Sequence, residues 1–314
     1  MTVEFSAGVL LWSQGADWAA LDAAARRVDE LGYDQLWTWD HVYAIFGDPY
    51  QPILDWWLSL AAWASATSRV RLGTLCTANT FRNPALVAKQ AATLDHISGG
   101  RAMLGIGAAW HELEHRAHGI DFGHSAGERL DWLAESVPLI RRLLDGDVVS
   151  HDGTRYRFDE LRHSPRPVQR HLPLMIGGGG ERRTLPIVAR HADSWNAFGS
   201  VEALTRKATA LRAACESIGR DPNEITFTVG CKPLIRDDER DARRLLEHQM
   251  AANRTPMADV VDDPSFWVGT AEQVGERLQQ LRSAGFRGVV AEMAAPYDDE
   301  TLERLIGEVI PAVS

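Results

Sequence analysis

Residues 69–107 read RVRLGTLCTANTFRNPALVAKQAATLDHISGGRAMLGIG. Arg69–Thr77 has the β-branched and apolar make-up of a strand. Pro84 suits the first position of a helix, where its missing N–H removes no intrahelical bond, and that helix runs to about Ile97. Ser98-Gly99-Gly100 ends it, and Arg101–Gly107 is a second strand. A strand, a helix and a strand in this order form a crossover unit, so the two strands are expected to lie parallel.

The same rhythm extends in both directions. Upstream, Phe5–Leu11 is a strand. Asp17–Leu31 then spaces Trp18, Leu21, Ala24, Ala25, Val28 and Leu31 as one helical face before Gly32 stops it. Tyr33–Trp39 is the next strand and Leu54–Ala66 the next helix. Downstream, strands are predicted at Leu172–Ile176, Ser194–Phe198, Ile225–Lys232 and Gly288–Met293. Helices are predicted at Ala126–Leu144, Glu181–His191, Leu204–Ile218, Glu239–Ala252, Ala271–Ala284 and Thr301–Val309. Eight β-then-α units favour an α/β fold of the closed (β/α)8 TIM-barrel kind over an open sheet. One barrel domain is expected over 1–314, with insertion or loop segments at 108–124, 145–171 and 253–268. The second of these holds a hairpin, Val148–Ser150 and Arg155–Phe158 around an Asp-Gly turn.

Composition narrows the class of function. Hydrophobic residues are 45% of the 314, enough for a large core. A net charge of −10 argues against a nucleic-acid partner, which needs clustered Lys and Arg. No apolar run is long enough for a membrane span, and the start of the chain reads as a first strand rather than a signal peptide. Cys76, Cys215 and Cys231 are too few and too scattered for a disulfide framework or a zinc knuckle, so a cytoplasmic location is expected.

A barrel places its site at the carboxyl ends of its strands. There stand Trp39-Asp40-His41, Thr77-Ala78-Asn79, Gly105-Ile106-Gly107 with Trp110, and Gly177-Gly178-Gly179-Gly180. Four glycines at a strand-to-helix turn expose backbone N–H groups to an anion, and the following helix adds its dipole. Phosphate binding is therefore expected there. His41 is an imidazole beside a carboxylate, able to give or take a proton near neutrality. Gly105-Ile106-Gly107 lacks the third glycine of a dinucleotide fingerprint. His111-Glu112-Leu113-Glu114-His115 matches HExxH in letters, which on a helix would offer two zinc ligands and a general base. It follows directly on a barrel strand, and a polar helix on the rim is the reading kept, with no metal assigned.

Several strings resemble the luciferase-like monooxygenase superfamily. They are Gly32-Tyr33-Asp34-Gln35-Leu36-Trp37-Thr38-Trp39-Asp40-His41, Arg71-Leu72-Gly73-Thr74 running into Arg82-Asn83-Pro84-Ala85, and Ser98-Gly99-Gly100-Arg101 before Leu104-Gly105-Ile106-Gly107. Ser164-Pro165-Arg166-Pro167 and the glycine turn with Glu181-Arg182-Arg183-Thr184 match as well. Within that superfamily the chain is most similar to actinobacterial F420-dependent oxidoreductases. The resemblance implies a bacterial-luciferase-like barrel with a deazaflavin across its mouth. Its phosphate would rest on Gly177, Gly178, Gly179 and Gly180. Its ring would lie near Leu75 and Cys76, where relatives often have a non-prolyl cis peptide, with Thr77, Asn79, Gly107 and Trp110 completing the cofactor set. His41 and Asp40 match the position that handles a proton beside the hydride centre. Some sugar-phosphate dehydrogenase relatives carry a glutamate where this chain has Trp110, which counts against a sugar-phosphate substrate.

The implied activity is hydride transfer between coenzyme F420 and a small organic molecule. The alternative is an FMN-dependent monooxygenase served by a separate flavin reductase. A zinc hydrolase and a non-catalytic barrel are the remote readings. A homodimer is a family expectation.

Overall fold

The computed structural model describes residues 5–313, so Met1–Glu4 and Ser314 of the expected domain lie outside the described residues. Eight strands form the barrel: β1 (Ser6–Leu11), β2 (Gln35–Thr38), β3 (Arg71–Thr74), β4 (Ala102–Gly107), β5 (Leu174–Gly177), β6 (Ser194–Ala197), β7 (Thr226–Ile235) and β8 (Gly288–Met293). Each pairs in parallel with its neighbour in chain order, and β8 pairs with β1, which closes the ring. The principal helices are α1 (Trp18–Leu31), α2 (Trp56–Ala66), α3 (Pro84–Ser98), α4 (Glu112–Ala117), α5 (Ala126–Asp145), α6 (Thr184–His191), α7 (Val201–Ser217), α8 (Glu239–Ala252), α9 (Ala271–Ser283) and α10 (Asp299–Arg304). None among the described residues is long and apolar enough to cross a membrane.

Helix ends follow from local chemistry. Asp17, Asp55, Asn83, Ser125 and Ser200 each accept a backbone N–H of the first turn, and Gly32, Gly99 and Gly146 close helices in the left-handed conformation. Sequence and structure differ at a few places. Helix α6 starts at Thr184 rather than Glu181, because the glycine turn continues through Arg183. The hairpin strands are Val149–Asp152 and Arg157–Leu161, so the turn lies later than the Asp-Gly pair suggested. Segment 253–268, read as irregular, runs into a short strand, Phe266–Gly269, which pairs outside the ring with Lys232–Ile235.

Two apolar clusters divide the strand residues by alternation. Val9, Leu11, Leu36, Leu72, Leu104, Ile106, Leu174 and Ile176 pack toward the helices, whereas Leu10, Trp37, Met103, Met175 and Val290 pack in the lumen. Trp37 fills the centre, fully buried, and glycine makes room for it on both sides. A Cβ at Gly8 would lie 3.1 Å from its Nε1, and one at Gly73 2.6 Å from its ring. Strands β3 and β4 approach so closely that a Cβ at Gly105 would overlap the carbonyl oxygen of Thr74. Gly105→Ala is therefore expected to lower the unfolding free energy by at least about 2 kcal/mol, read as an earlier urea midpoint with an unchanged slope.

Candidate active site

Above Trp37, at the carboxyl ends of the strands, lies a cavity of about 530 Å³. Its volume falls in the range of small-molecule sites. His41, Asp40, Leu75, Cys76, Thr77, Gly107, Trp110, Gly177 and Gly178 all line it.

The loop after β2 carries His41 into this space, and its carboxylate partner is Glu114 on α4 rather than Asp40. Glu114 Oε1 lies 2.8 Å from His41 Nδ1, while its Oε2 accepts the backbone N–H groups of Val42 and Tyr43 at 3.0 and 3.4 Å. Glu114 is 1% exposed. Burial alone would push its carboxyl up; the hydrogen bond and charge of His41 and the Val42 amide outweigh that and hold it below the usual carboxylate range. An ionised carboxylate only accepts, so Nδ1 carries the proton and Nε2 is left without a partner among the described residues. The indole of Trp110, 61% exposed at the rim, stands edge-on to the imidazole at 5.7 Å between ring centres.

Asp40 has other partners. It accepts the Ala78 N–H at 2.9 Å and the Arg82 guanidinium at 3.2 Å, bracing the end of β2 against the chain beyond β3. Burial raises its carboxyl above the ordinary value, against the pull of Arg82.

The Leu75–Cys76 peptide is cis. Burial pushes the Cys76 thiol up to about 12, so it remains a thiol near neutrality. Its sulfur occupies the space a side chain at Gly177 would need. Gly178 adopts φ 114°, a value that favours glycine, and its carbonyl accepts the Trp195 indole N–H at 2.7 Å. Gly179 and Gly180 continue the turn beyond the cavity wall toward α6. The Lys207 ammonium, from α7, lies over Gly179, where a Cβ would come within 2.7 Å of it. Neighbouring Arg183 and Arg206 bind Asp131 and Glu181. Lys207 has no ion-pair or hydrogen-bond partner among the described residues.

Asn79 departs from expectation. It does not reach the cavity, because its side chain is buried against Ser136 and Tyr156. The HExxH letters do fall on a rim helix, but His115 is a core residue. Its Nδ1 bonds the His111 carbonyl at 2.8 Å and its Nε2 the Thr80 hydroxyl at 2.6 Å, which leaves neither nitrogen for a metal.

Sequence reasoning passed over Glu114, although the HExxH string contains it, because that motif assigns no role to its fourth position. It also passed over Lys232 and Glu292, which line the cavity from the last two strands beside Asn196. A charged residue inside an apolar strand run was the available signal for both.

Fold and site together define a closed (β/α)8 barrel with a cavity of small-molecule size at the carboxyl ends of its strands. The chain belongs to the luciferase-like monooxygenase family, whose family model matches residues 5–288. The F420-dependent hydroxymycolic acid dehydrogenase of Mycobacterium tuberculosis is 27% identical over 308 residues, covering 93% of this chain and 83% of the relative. An F420-dependent secondary alcohol dehydrogenase, solved with an F420–acetone adduct, superposes with a TM-score of 0.85 at 21% identity over 99% of each chain. The oxygenating constituent of the 3,6-diketocamphane monooxygenase from Pseudomonas putida, solved with FMN, gives 0.78 at 19% identity, again over 99% of each. These two structural likenesses concern the fold.

Glu114→Gln tests the dyad. The amide places an NH₂ where a carboxylate oxygen accepts, and is expected to cost about 1–3 kcal/mol at pH 7. The folded state favours the Glu114 carboxylate more than the unfolded state does. Its stabilisation is therefore complete above the ordinary value near 4.5 and is lost as pH falls through the lowered folded-state value. Urea unfolding of both proteins should show a gap at pH 7 that closes in acid; a gap independent of pH would refute this assignment.

Proposed function

We propose that this chain is an F420-dependent oxidoreductase moving a hydride between the deazaflavin and a small organic substrate, with His41 handling the proton. The observation that carries the reading is the His41–Glu114 dyad opening onto the same cavity as the glycine turn. Relatives that use F420 support it, among them the dehydrogenase matched over most of the chain. The residues fit such a cofactor: Gly177 and Gly178 present bare backbone to the cavity, and Lys207 offers an unpaired ammonium over Gly179. Leu75, Cys76, Thr77, Gly107 and Trp110 supply the walls for a flat ring. When bound, the deazaflavin supplies the redox chemistry.

The chain's own part is positional and protic. Glu114 fixes the imidazole so that Nε2 faces the cavity. There it takes the proton of an alcohol as it becomes a carbonyl, or returns it in the reverse direction. Glu114 stabilises the imidazolium in between. The residues Trp39, Phe46, Trp110 and Phe198 limit water around that transfer. On the same reading the protein is cytoplasmic, in keeping with three free thiols.

The deciding experiment is parallel fluorescence titration of the purified protein with F420 and FMN. Tight F420 binding with weak FMN binding is expected. The reverse preference would replace this reading with a monooxygenase fed by a flavin reductase, and oxygen uptake would then be measured. Two substitutions refine the outcome. His41→Phe should keep F420 affinity within about twofold and lower turnover by about 100-fold or more; unchanged turnover removes His41 from the chemistry. Lys207→Ala should weaken cofactor binding by about tenfold and flatten its salt dependence.

A further inference from the structure

The alternation that fills the lower lumen with apolar side chains changes character on the last three strands. Along β6, Trp195 and Ala197 face the helices and Asn196 faces inward; along β7, Val229 and Cys231 face outward and Lys232 inward; along β8, Ala291 and Met293 face outward and Glu292 inward. Asn196, Lys232 and Glu292 are 1%, 8% and 8% exposed, and all line the cavity. None has a part in the chemistry assigned to His41.

The orientation of Asn196 is fixed by its neighbours. Thr228 spends its hydroxyl proton on the Trp195 carbonyl at 3.0 Å, so its oxygen must accept the Asn196 Nδ2–H at 2.9 Å. Asn196 Oδ1 is then left buried with no partner among the described residues. A buried acceptor without a partner is costly, and one on a cavity wall is satisfied by a ligand N–H or O–H.

Lys232 is differently placed. Its ammonium donates to Ser265 Oγ at 2.7 Å, lies 3.4 Å from Asp263 and 3.7 Å from Glu292, and is flanked by the rings of Phe198 and Phe266 at 5.3 and 5.0 Å. Burial holds the Glu292 carboxyl above its usual range, while Asp263 stays below its own through Lys232 and Ser265 in spite of burial. The positive charge is thus already matched by Asp263, and no surplus is left for a phosphate or carboxylate. Between this wall and His41 stand the rings of Trp39 and Phe46.

We propose that Asn196, Lys232 and Glu292 form a substrate subsite that binds an oxygen function at one end of a neutral, largely apolar molecule, whose other end, an alcohol or ketone carbon, reacts beside His41. The proposal rests on the oxidoreductase reading for the identity of the reacting end. The walls at Leu75–Cys76, Gly107 and Gly177–Gly178 are those assigned to the cofactor, which leaves the β6–β8 wall for the substrate.

The probe is methyl pentyl ketone against its ω-hydroxy analogue, two molecules that differ by one terminal hydroxyl. Dissociation constants are read by ligand-observed NMR titration of the protein loaded with whichever cofactor the fluorescence titration selects, so the result does not depend on turnover. The hydroxylated ketone should bind about tenfold more tightly. Glu292→Gln, which is nearly isosteric, and Asn196→Ala should each bring that ratio toward one, with thermal melting confirming that both variants are folded. Equal affinities in the unsubstituted protein, or a preference that survives both substitutions, would overturn the subsite. Tighter binding of the ω-carboxylate analogue than of the hydroxyketone would overturn its neutral character. A protein that binds neither F420 nor FMN would defeat the oxidoreductase reading separately, and the same two ketones would then be compared on the cofactor-free chain.

Discussion

Closing eight parallel strands into a ring divides each strand between two environments. One set of side chains must fill the gap to the helices; the other must share a narrow lumen. In this protein Trp37 takes most of the central volume, which Gly8 and Gly73 leave open for it. That filling sets the depth of the cavity. Everything above Trp37 is reached from the carboxyl ends, so residues two or more positions beyond it, such as Trp39 and His41, become the walls of a site. The close approach of β3 and β4 at Gly105 belongs to the same constraint.

Two adjacent residues after β2 then take unlike tasks because different elements meet them. Asp40 is drawn under the wall by the Ala78 amide and Arg82, and it holds the β2 end in register with the segment that carries Cys76. His41 is met by Glu114 from the short helix beyond β4. The same carboxylate accepts two backbone N–H groups of the His41 loop, so it fixes both the ring and the chain that presents it. A carboxylate with all these donors stays ionised in spite of burial. The tautomer of His41 therefore follows from packing between a loop and a short helix distant in sequence.

This explains what could be read from the residues alone. The βα rhythm is local, written in strand runs, caps and glycine stops, so all eight barrel strands were legible, with ends displaced by a few residues. The rim residues were legible because a barrel fixes which ends matter. The partner of His41 was not, since Asp40 is its neighbour in sequence while Glu114 is brought to it by the ring closing and α4 folding back. Asn79 misled for the converse reason. It lies in a rim segment, yet α5 and the hairpin supply Ser136 and Tyr156 to turn its side chain away. The inward polar residues of β6–β8 were readable in principle from alternation, but only once the outward set was known.

Charge placement at the mouth gives the site a direction. Arg82 is tied to Asp40. Arg129 lies over the Phe122 ring and bonds the carbonyls of Ala109 and Phe122. Lys232 is matched by Asp263 and Ser265. Of these cations and Lys207, Lys207 alone has no partner among the described residues, and it stands over the glycine turn. In a chain with a net charge of −10, an anionic group entering the cavity meets its least compensated positive charge there. On the proposed reading, a cofactor with one anionic end would enter with that end toward α6 and its uncharged ring toward the Leu75–Cys76 wall beside His41, leaving the polar wall of β6–β8 free.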